Sequence, residues 1–175
     1  RLTDYGFTGP IYPVNPKGGE ILGLKVYRNV LEIEGDVDLA IIVVNAKFVL
    51  DTIDQCHEKG VGGLCVISAG FKETGAQGAE LERALLTKVR EYNMRCVGPN
   101  CLGVVNTHPD VRMDGCFAES LPERGDIGFV SQSGALGGGI LNILKDLNLG
   151  FAQFISIGNQ ADVNAETAME YWENE

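Results

Sequence analysis

The residue types best suited to chemistry lie in the run Val130-Ser-Gln-Ser-Gly-Ala-Leu136. An apolar segment from Ile127 to Val130 enters a turn rich in hydroxyls and glycine. It leaves on a helical stripe of Leu136, Ile140, Ile143, Leu144 and Leu147. At the carboxyl end of a parallel strand, such a turn aims free backbone N–H groups and the positive end of a helix dipole at one point. Ser131 and Ser133 add hydroxyls, and Gly134 lets a ligand approach the backbone. The chemistry is that of holding a phosphate or another anion. Serine at a strand-to-helix junction is also an ordinary N-cap, and the turn by itself leaves both readings open.

Positioning that turn requires a regular scaffold, and the composition supports one. Of 175 residues 45% are apolar, enough for a packed core, and the length suits one domain or one domain plus part of another. The 23 glycines fall at the ends of apolar runs, where an α/β fold needs turns. A net charge of −10 argues against a nucleic-acid surface or binding to an anionic membrane. No segment approaches the roughly 20 apolar residues of a membrane span, and no signal peptide opens the chain, so a cytoplasmic protein is expected. Cys56, Cys65, Cys96, Cys101 and Cys116 contain no CxxC pair and read as reduced, buried thiols, with no metal site expected.

Strand and helix alternate along the chain. Leu39 to Val44 is a continuous apolar run, as expected of a parallel strand buried on both faces. A helix is expected over Lys47–Lys59, a second buried strand at Gly63–Ile67, a helix over Ala79–Tyr92 and a strand at Arg95–Val97. Ile11–Val14 reads as a further short strand and Val26-Tyr27 as an edge strand or extended link. Residues 106–124 show little periodicity and are expected to link two domains, 1–124 and 125–175. The second domain opens with strand 127–131, helix 134–147, strand 151–157 and a helix from about Ala165. Right-handed crossovers predict doubly wound sheets, with ligands beyond the strand carboxyl ends. There the segments Asn15-Pro-Lys-Gly-Gly19, Asn45-Ala-Lys-Phe48, Ser68-Ala-Gly-Phe71 and Gly98-Pro-Asn-Cys101 form one rim. Asp126 and Asp162 read as turn formers, and Glu73 as a helix first-turn acid. Arg1 to Tyr5 and Tyr171 to Glu175 read as helices cut short, which makes the chain a fragment of something longer.

Six stretches in order, at compatible spacing, carry a resemblance: Gly9-Pro-Ile-Tyr-Pro-Val-Asn-Pro-Lys17, Ala46-Lys-Phe-Val49, Ile67-Ser-Ala-Gly-Phe-Lys-Glu73, Gly98-Pro-Asn-Cys-Leu-Gly103, Val130-Ser-Gln-Ser-Gly-Ala-Leu136 and Ile157-Gly-Asn-Gln-Ala-Asp-Val163. Together they resemble the nucleoside-diphosphate-forming acyl-CoA synthetases, the ADP-forming acetyl-CoA type more closely than the succinyl-CoA synthetase α subunit. The resemblance implies a Rossmann-like CoA-binding domain followed by the start of a flavodoxin-like ligase domain. It implies that Lys17 approaches the CoA phosphates or adenosine, that Val44, Asn45, Ala46 and Phe48 border nucleotide and pantetheine, and that Ser68, Ala69 and Gly70 run along the pantetheine. Asn100 would lie near the reactive thiol, and Ser131 and Ser133 would open the helix that holds a phosphorylated histidine, with Ser131, Ser133 and Gly134 stabilising phosphate.

In that family acyl-CoA and phosphate give acyl phosphate, a histidine carries the phosphoryl group, and ADP accepts it. ADP or ATP and Mg²⁺ would belong to the full enzyme, on an ATP-grasp β subunit or fused domain, in an oligomer. The family's first strand and phosphate loop would precede Arg1, and its histidine would follow Glu175. His57 reads as a helix C-terminal residue paired with the dipole, His108 as an exposed link residue, and no catalytic residue is expected in this chain. Two alternatives stand beside the ligase: a regulatory CoA-binding part of a protein lysine acetyltransferase, and a stand-alone CoA-binding module.

Overall fold

The structure, a computed structural model, describes residues 1–118, 123–147 and 149–174, with nothing said of the Lys145 side chain. A single helical turn, α1 (Leu2–Tyr5), is followed by extended chain and a small antiparallel hairpin of β1 (Gly19–Ile21) and β2 (Leu24–Val26). The strand expected at Ile11–Val14 reduces to one bridge, Val14 to Tyr27. Pro13 has no N–H to give a ladder, and only its carbonyl is used, by the Tyr27 amide at 2.9 Å.

Three strands then form a parallel sheet in chain order: β3 (Leu39–Ile42), β4 (Gly63–Val66) and β5 (Arg95–Val97). The crossovers are α2 (Val49–Lys59) and α3 (Ala76–Glu91), which pack against each other. Val49, Ile53 and Cys56 of α2 and Leu85 and Val89 of α3 recur at helical spacing, and all five are buried against Ile42, Leu64 and Val66. Both helices end as their sequences dictate. Gly60 caps α2 in the left-handed region at φ 87°, a conformation costly for any residue with a Cβ. Helix α3 starts three residues before its expected first residue because Gly78 is wedged beneath the Phe71 carbonyl, where a Cβ would overlap.

The second sheet corrects the expected link. Gly103–Asn106 is β6 and Met113–Cys116 is β7, an antiparallel pair, and with β8 (Arg124–Ser131) and β9 (Phe151–Ser156) they form a mixed sheet in the order β7-β6-β9-β8. Residues 119–122 of the stretch expected as a link lie outside the described residues, as does Glu175. Asp114 hid β7, because an acidic residue normally signals a turn. Here it is fully buried, with its carboxylate 3.1 Å from the Arg1 guanidinium, a partner 113 positions away. Helix α4 (Gly134–Asp146) follows β8, and α5 (Ala165–Trp172) follows β9. Phe151 and Phe154 are buried in this core, and Phe129 packs against both, stacked on Phe154 and tilted to Phe151. Trp172 lies over Gly128, and its indole N–H donates to Gln153 at 2.9 Å. Among the described residues no helix is long and apolar enough to cross a membrane.

Candidate functional site

The carboxyl ends of β3, β4 and β5 are stitched together by short polar contacts. The Ser68 hydroxyl donates to the Val44 carbonyl at 2.5 Å, and the Ser68 carbonyl accepts from the Asn100 amide at 3.0 Å. Gly70, at φ 110°, lies so near Ala46 that a Cβ would come within 2.9 Å of the alanine methyl. The Asn45 side chain accepts from the Lys47 amide at 3.2 Å and starts a single 3₁₀ turn, Ala46–Phe48. Val44, Ala46, Ser68, Gly70 and Asn100 therefore form one continuous edge. Along it Val43 is 69% exposed and Phe48 51%, although both belong to types that normally bury. Lys17 stands outside this network, on an exposed turn held by the Asn15 side chain, and its ammonium has no partner among the described residues.

From Asn100 the edge continues into a cleft of about 610 Å³. One wall is Asn100, Cys101 and Leu102; the facing one is Gln132 to Ala135 with Gly138 and Asn142; Phe117 and Ala118 close an end. Ser156, at the end of β9, accepts from the Leu102 amide at 2.9 Å and fixes the first wall to the second sheet. The expected hydroxyl donors are partly used within the turn. Ser131 donates to the Ser133 carbonyl at 3.0 Å, and Ser133 Oγ accepts from the Leu136 amide at 3.2 Å, an N-cap. The amides of Gly134 and Ala135 have no partner among the described residues, and both residues line the cleft. The cap reading thus holds for the hydroxyls, while two helix-start amides remain for a ligand.

The Gly158–Val163 segment clamps the two halves, a role its sequence did not announce. Asn159, 6% exposed, donates through Nδ2 to Glu73 at 2.6 Å and to Glu82 at 2.7 Å, and accepts from Asn100 at 3.3 Å. Lys72 pairs with Glu82 at 3.0 Å and donates to the Asn159 carbonyl. Asp162 accepts from the Arg95 side chain and the Cys96 amide, both at 2.9 Å. Glu73 is a first-turn acid of the short 3₁₀ helix Lys72–Thr74, as expected, and it also accepts the Gly70 and Phe71 amides, at 2.5 and 3.0 Å.

Burial pushes the Glu73 carboxyl up, but hydrogen bonds from Asn159 and from the Gly70 and Phe71 amides outweigh it, and the group titrates below its ordinary value of 4.5. A depressed folded value means that its stabilisation is complete above the unfolded value and disappears as pH falls through the folded one. In urea titrations the protein is expected to lose stability progressively below about pH 4.5, and Glu73→Gln to flatten that part of the profile. Parallel profiles for the two proteins would remove Glu73 from the acid response.

Neither histidine meets the cleft. His57 is stacked on Tyr92, with ring centroids 3.9 Å apart and planes within 3°, a packing role in place of the expected dipole pairing alone. His108 is exposed in the β6–β7 connection, and its Nδ1 accepts from the Asp110 amide at 3.3 Å. Asn106 is level with Gln153 and Gly128, whereas Ser131 is level with Ser156, so His108 lies at the opposite end of the sheet from the serine turn.

Two family patterns match the chain: the CoA binding domain over residues 2–107 and the succinyl-CoA ligase like flavodoxin domain over residues 124–175. The chain is 45% identical over 166 residues to an acetate–CoA ligase (ADP-forming) of Methanocaldococcus jannaschii, covering 95% of this chain and 23% of that protein. It is 47% identical over 163 residues to the α subunit of acetate–CoA ligase (ADP-forming) II of Pyrococcus furiosus, covering 93% of this chain and 35% of that one. The structure of a dinucleotide-forming acetyl-coenzyme A synthetase 1 from Ca. Korarchaeum cryptofilum, in complex with phosphate and ADP, superposes with a TM-score of 0.94 at 37% identity, over 99% of this chain and 37% of that one. The chain thus spans a quarter to two fifths of the length of these relatives.

Proposed function

Because the chain belongs to the family of CoA-binding domains, we propose that it is the CoA-binding part of an ADP-forming acyl-CoA synthetase of the acetyl-CoA type. The division between the CoA-binding, Rossmann-like part and the ligase part falls near residue 124. The continuous edge from Val44 through Ser68 to Asn100, running into the cleft below Gly134, carries this reading. CoA lies along it. Exposed Val43, Val44 and Phe48 border its nucleotide end, Lys17 supplies a cation for its phosphates, and Ser68 to Gly70 present backbone to the pantetheine.

The thiol end reaches the cleft beside Asn100. Phosphate is held by the Gly134 and Ala135 amides and the remaining Ser133 proton, so that charge developing on a transferred phosphoryl group meets fixed donors. In the whole protein acyl-CoA and phosphate give acyl phosphate and CoA. A histidine outside this chain then carries the phosphoryl group to ADP, on an ATP-grasp β subunit or fused domain that supplies Mg²⁺, in an oligomeric cytoplasmic enzyme. The acid–CoA ligase relatives support this reading over a regulatory acetyltransferase part.

The edge carries no Gly-x-Gly-x-x-Gly followed about 20 residues later by an acid for a ribose, the arrangement that holds NAD. Calorimetric titration is expected to show CoA bound at least about tenfold more tightly than NAD. Tighter binding of NAD would overturn the assignment.

A further inference from the structure

Gly137, Gly138 and Gly139 follow one another on α4, and their surroundings differ. A Cβ on Gly137 would press on the Phe154 ring at 2.7 Å, so that position faces the core. Gly138 lines the cleft, and Gly139 does not. A Cβ on either of these two would meet nothing within 4 Å among the described residues. Glycine weakens a helix interior, and close packing demands it at 137 but not at 138, where the missing side chain leaves only space.

One turn earlier on the same face, a Cβ on Gly134 would lie 3.5 Å from the Leu102 Cβ in the opposite wall. The cleft therefore widens along α4, from the unpartnered amides of Gly134 and Ala135 toward Gly138, about 6 Å further along the axis. Leu102, Phe117 and Ala118 give it apolar lining, and Phe117 keeps 63% of its surface uncovered. Among the described residues no charged side chain lines it.

We propose that the wide part of the cleft holds the acyl group of the thioester, and that Gly138 sets its size, admitting an uncharged apolar acyl group larger than acetyl. The inference rests on the proposed CoA-binding function, which puts the sulfur beside Asn100 and phosphate on the Gly134 and Ala135 amides. An acyl carbon passed from that sulfur to a phosphate oxygen stays within bonding reach of both, so its substituent leaves from between them. Leu102 closes the cleft at Gly134, and the open direction is past Gly138. A hydrocarbon branch or an aromatic ring there removes apolar surface from water, and a methyl group removes little. A side chain at 138 would occupy that space.

The test is calorimetric titration of the protein with CoA, acetyl-CoA, phenylacetyl-CoA and succinyl-CoA. Phenylacetyl-CoA is expected to bind at least about tenfold more tightly than acetyl-CoA, as burial of an aromatic ring allows. Gly138→Leu is expected to bring the two affinities to within about threefold of each other. Gly139→Leu gains the same helix propensity without lining the cleft, and it should keep the wild-type ratio. No preference between the two thioesters in the wild type, tighter binding of succinyl-CoA than of phenylacetyl-CoA, or an unchanged preference in Gly138→Leu would overturn the inference. The wild-type ratio decides the matter even if a variant fails to fold. Those results leave CoA binding standing, whereas failure of CoA itself to bind would remove the proposed function and this inference with it.

Discussion

Replacing Asn159 by aspartate is expected to cost about 3–5 kcal/mol of stability at neutral pH, the loss that follows when a buried charge is left without a partner. The Asn159 amide nitrogen donates to Glu73 and Glu82, and it is a donor shared by two acids in a buried place. An aspartate oxygen there would offer a third negative charge to both, with Lys72 already committed to Glu82. Repulsion favours the protonated form of the new acid, so the penalty is full at neutral pH and shrinks as pH falls and that acid takes up its proton. Urea unfolding at neutral pH and again near pH 5 measures both the size and the sign. A loss under about 1 kcal/mol, or one that grows in acid, would mean that the clamp does not hold the two halves together.

The Gly70→Val variant is expected to lower CoA affinity by about a hundredfold, equivalent to about 2.7 kcal/mol. Two costs combine at this position. The φ of 110° suits only glycine, and a Cβ would press on Ala46 at 2.9 Å. Relief requires the β4 end to move away from the β3 end, which opens the edge along which CoA is proposed to lie and strains the Gly70 amide bond to Glu73. Calorimetry with CoA, with circular dichroism to confirm the fold, measures the effect. An affinity within about threefold of wild type would place the ligand off this edge.

Local signals made the parallel half of the molecule legible. The apolar run from Leu39, whose strand ends at Ile42, and the helical stripe Ile53, Cys56 identify their elements without reference to distant residues, and Gly60 just past that stripe suits a left-handed helix C-cap. What stayed illegible depends on partners far along the chain. Asp114 occupies a strand with its carboxylate held by the distant Arg1 and by the Cys116 amide and thiol, and β7 disappears from a periodicity analysis for that reason. Asn159, Glu73 and Glu82 are separated by 77 and 86 positions from their partners, so nothing in their spacing shows that they meet.

The anion turn was visible as a motif, but the division of labour within it was not. Ser131 and Ser133 turned out to spend their hydroxyls largely on the turn, leaving backbone amides toward the cleft. Phe117 carries no motif signal for cleft lining, whereas Cys101 belongs to the Gly98–Cys101 segment already expected at the ligand rim.

A crystal structure of the protein with CoA and inorganic phosphate tests the central claim most directly. The account predicts CoA along Val44 to Phe48 and Ser68 to Gly70, its sulfur in the cleft beside Asn100, and phosphate within hydrogen-bond distance of the Gly134 and Ala135 amides. CoA seated away from the β3–β5 edge, or phosphate bound elsewhere while those two amides face only water, would contradict it.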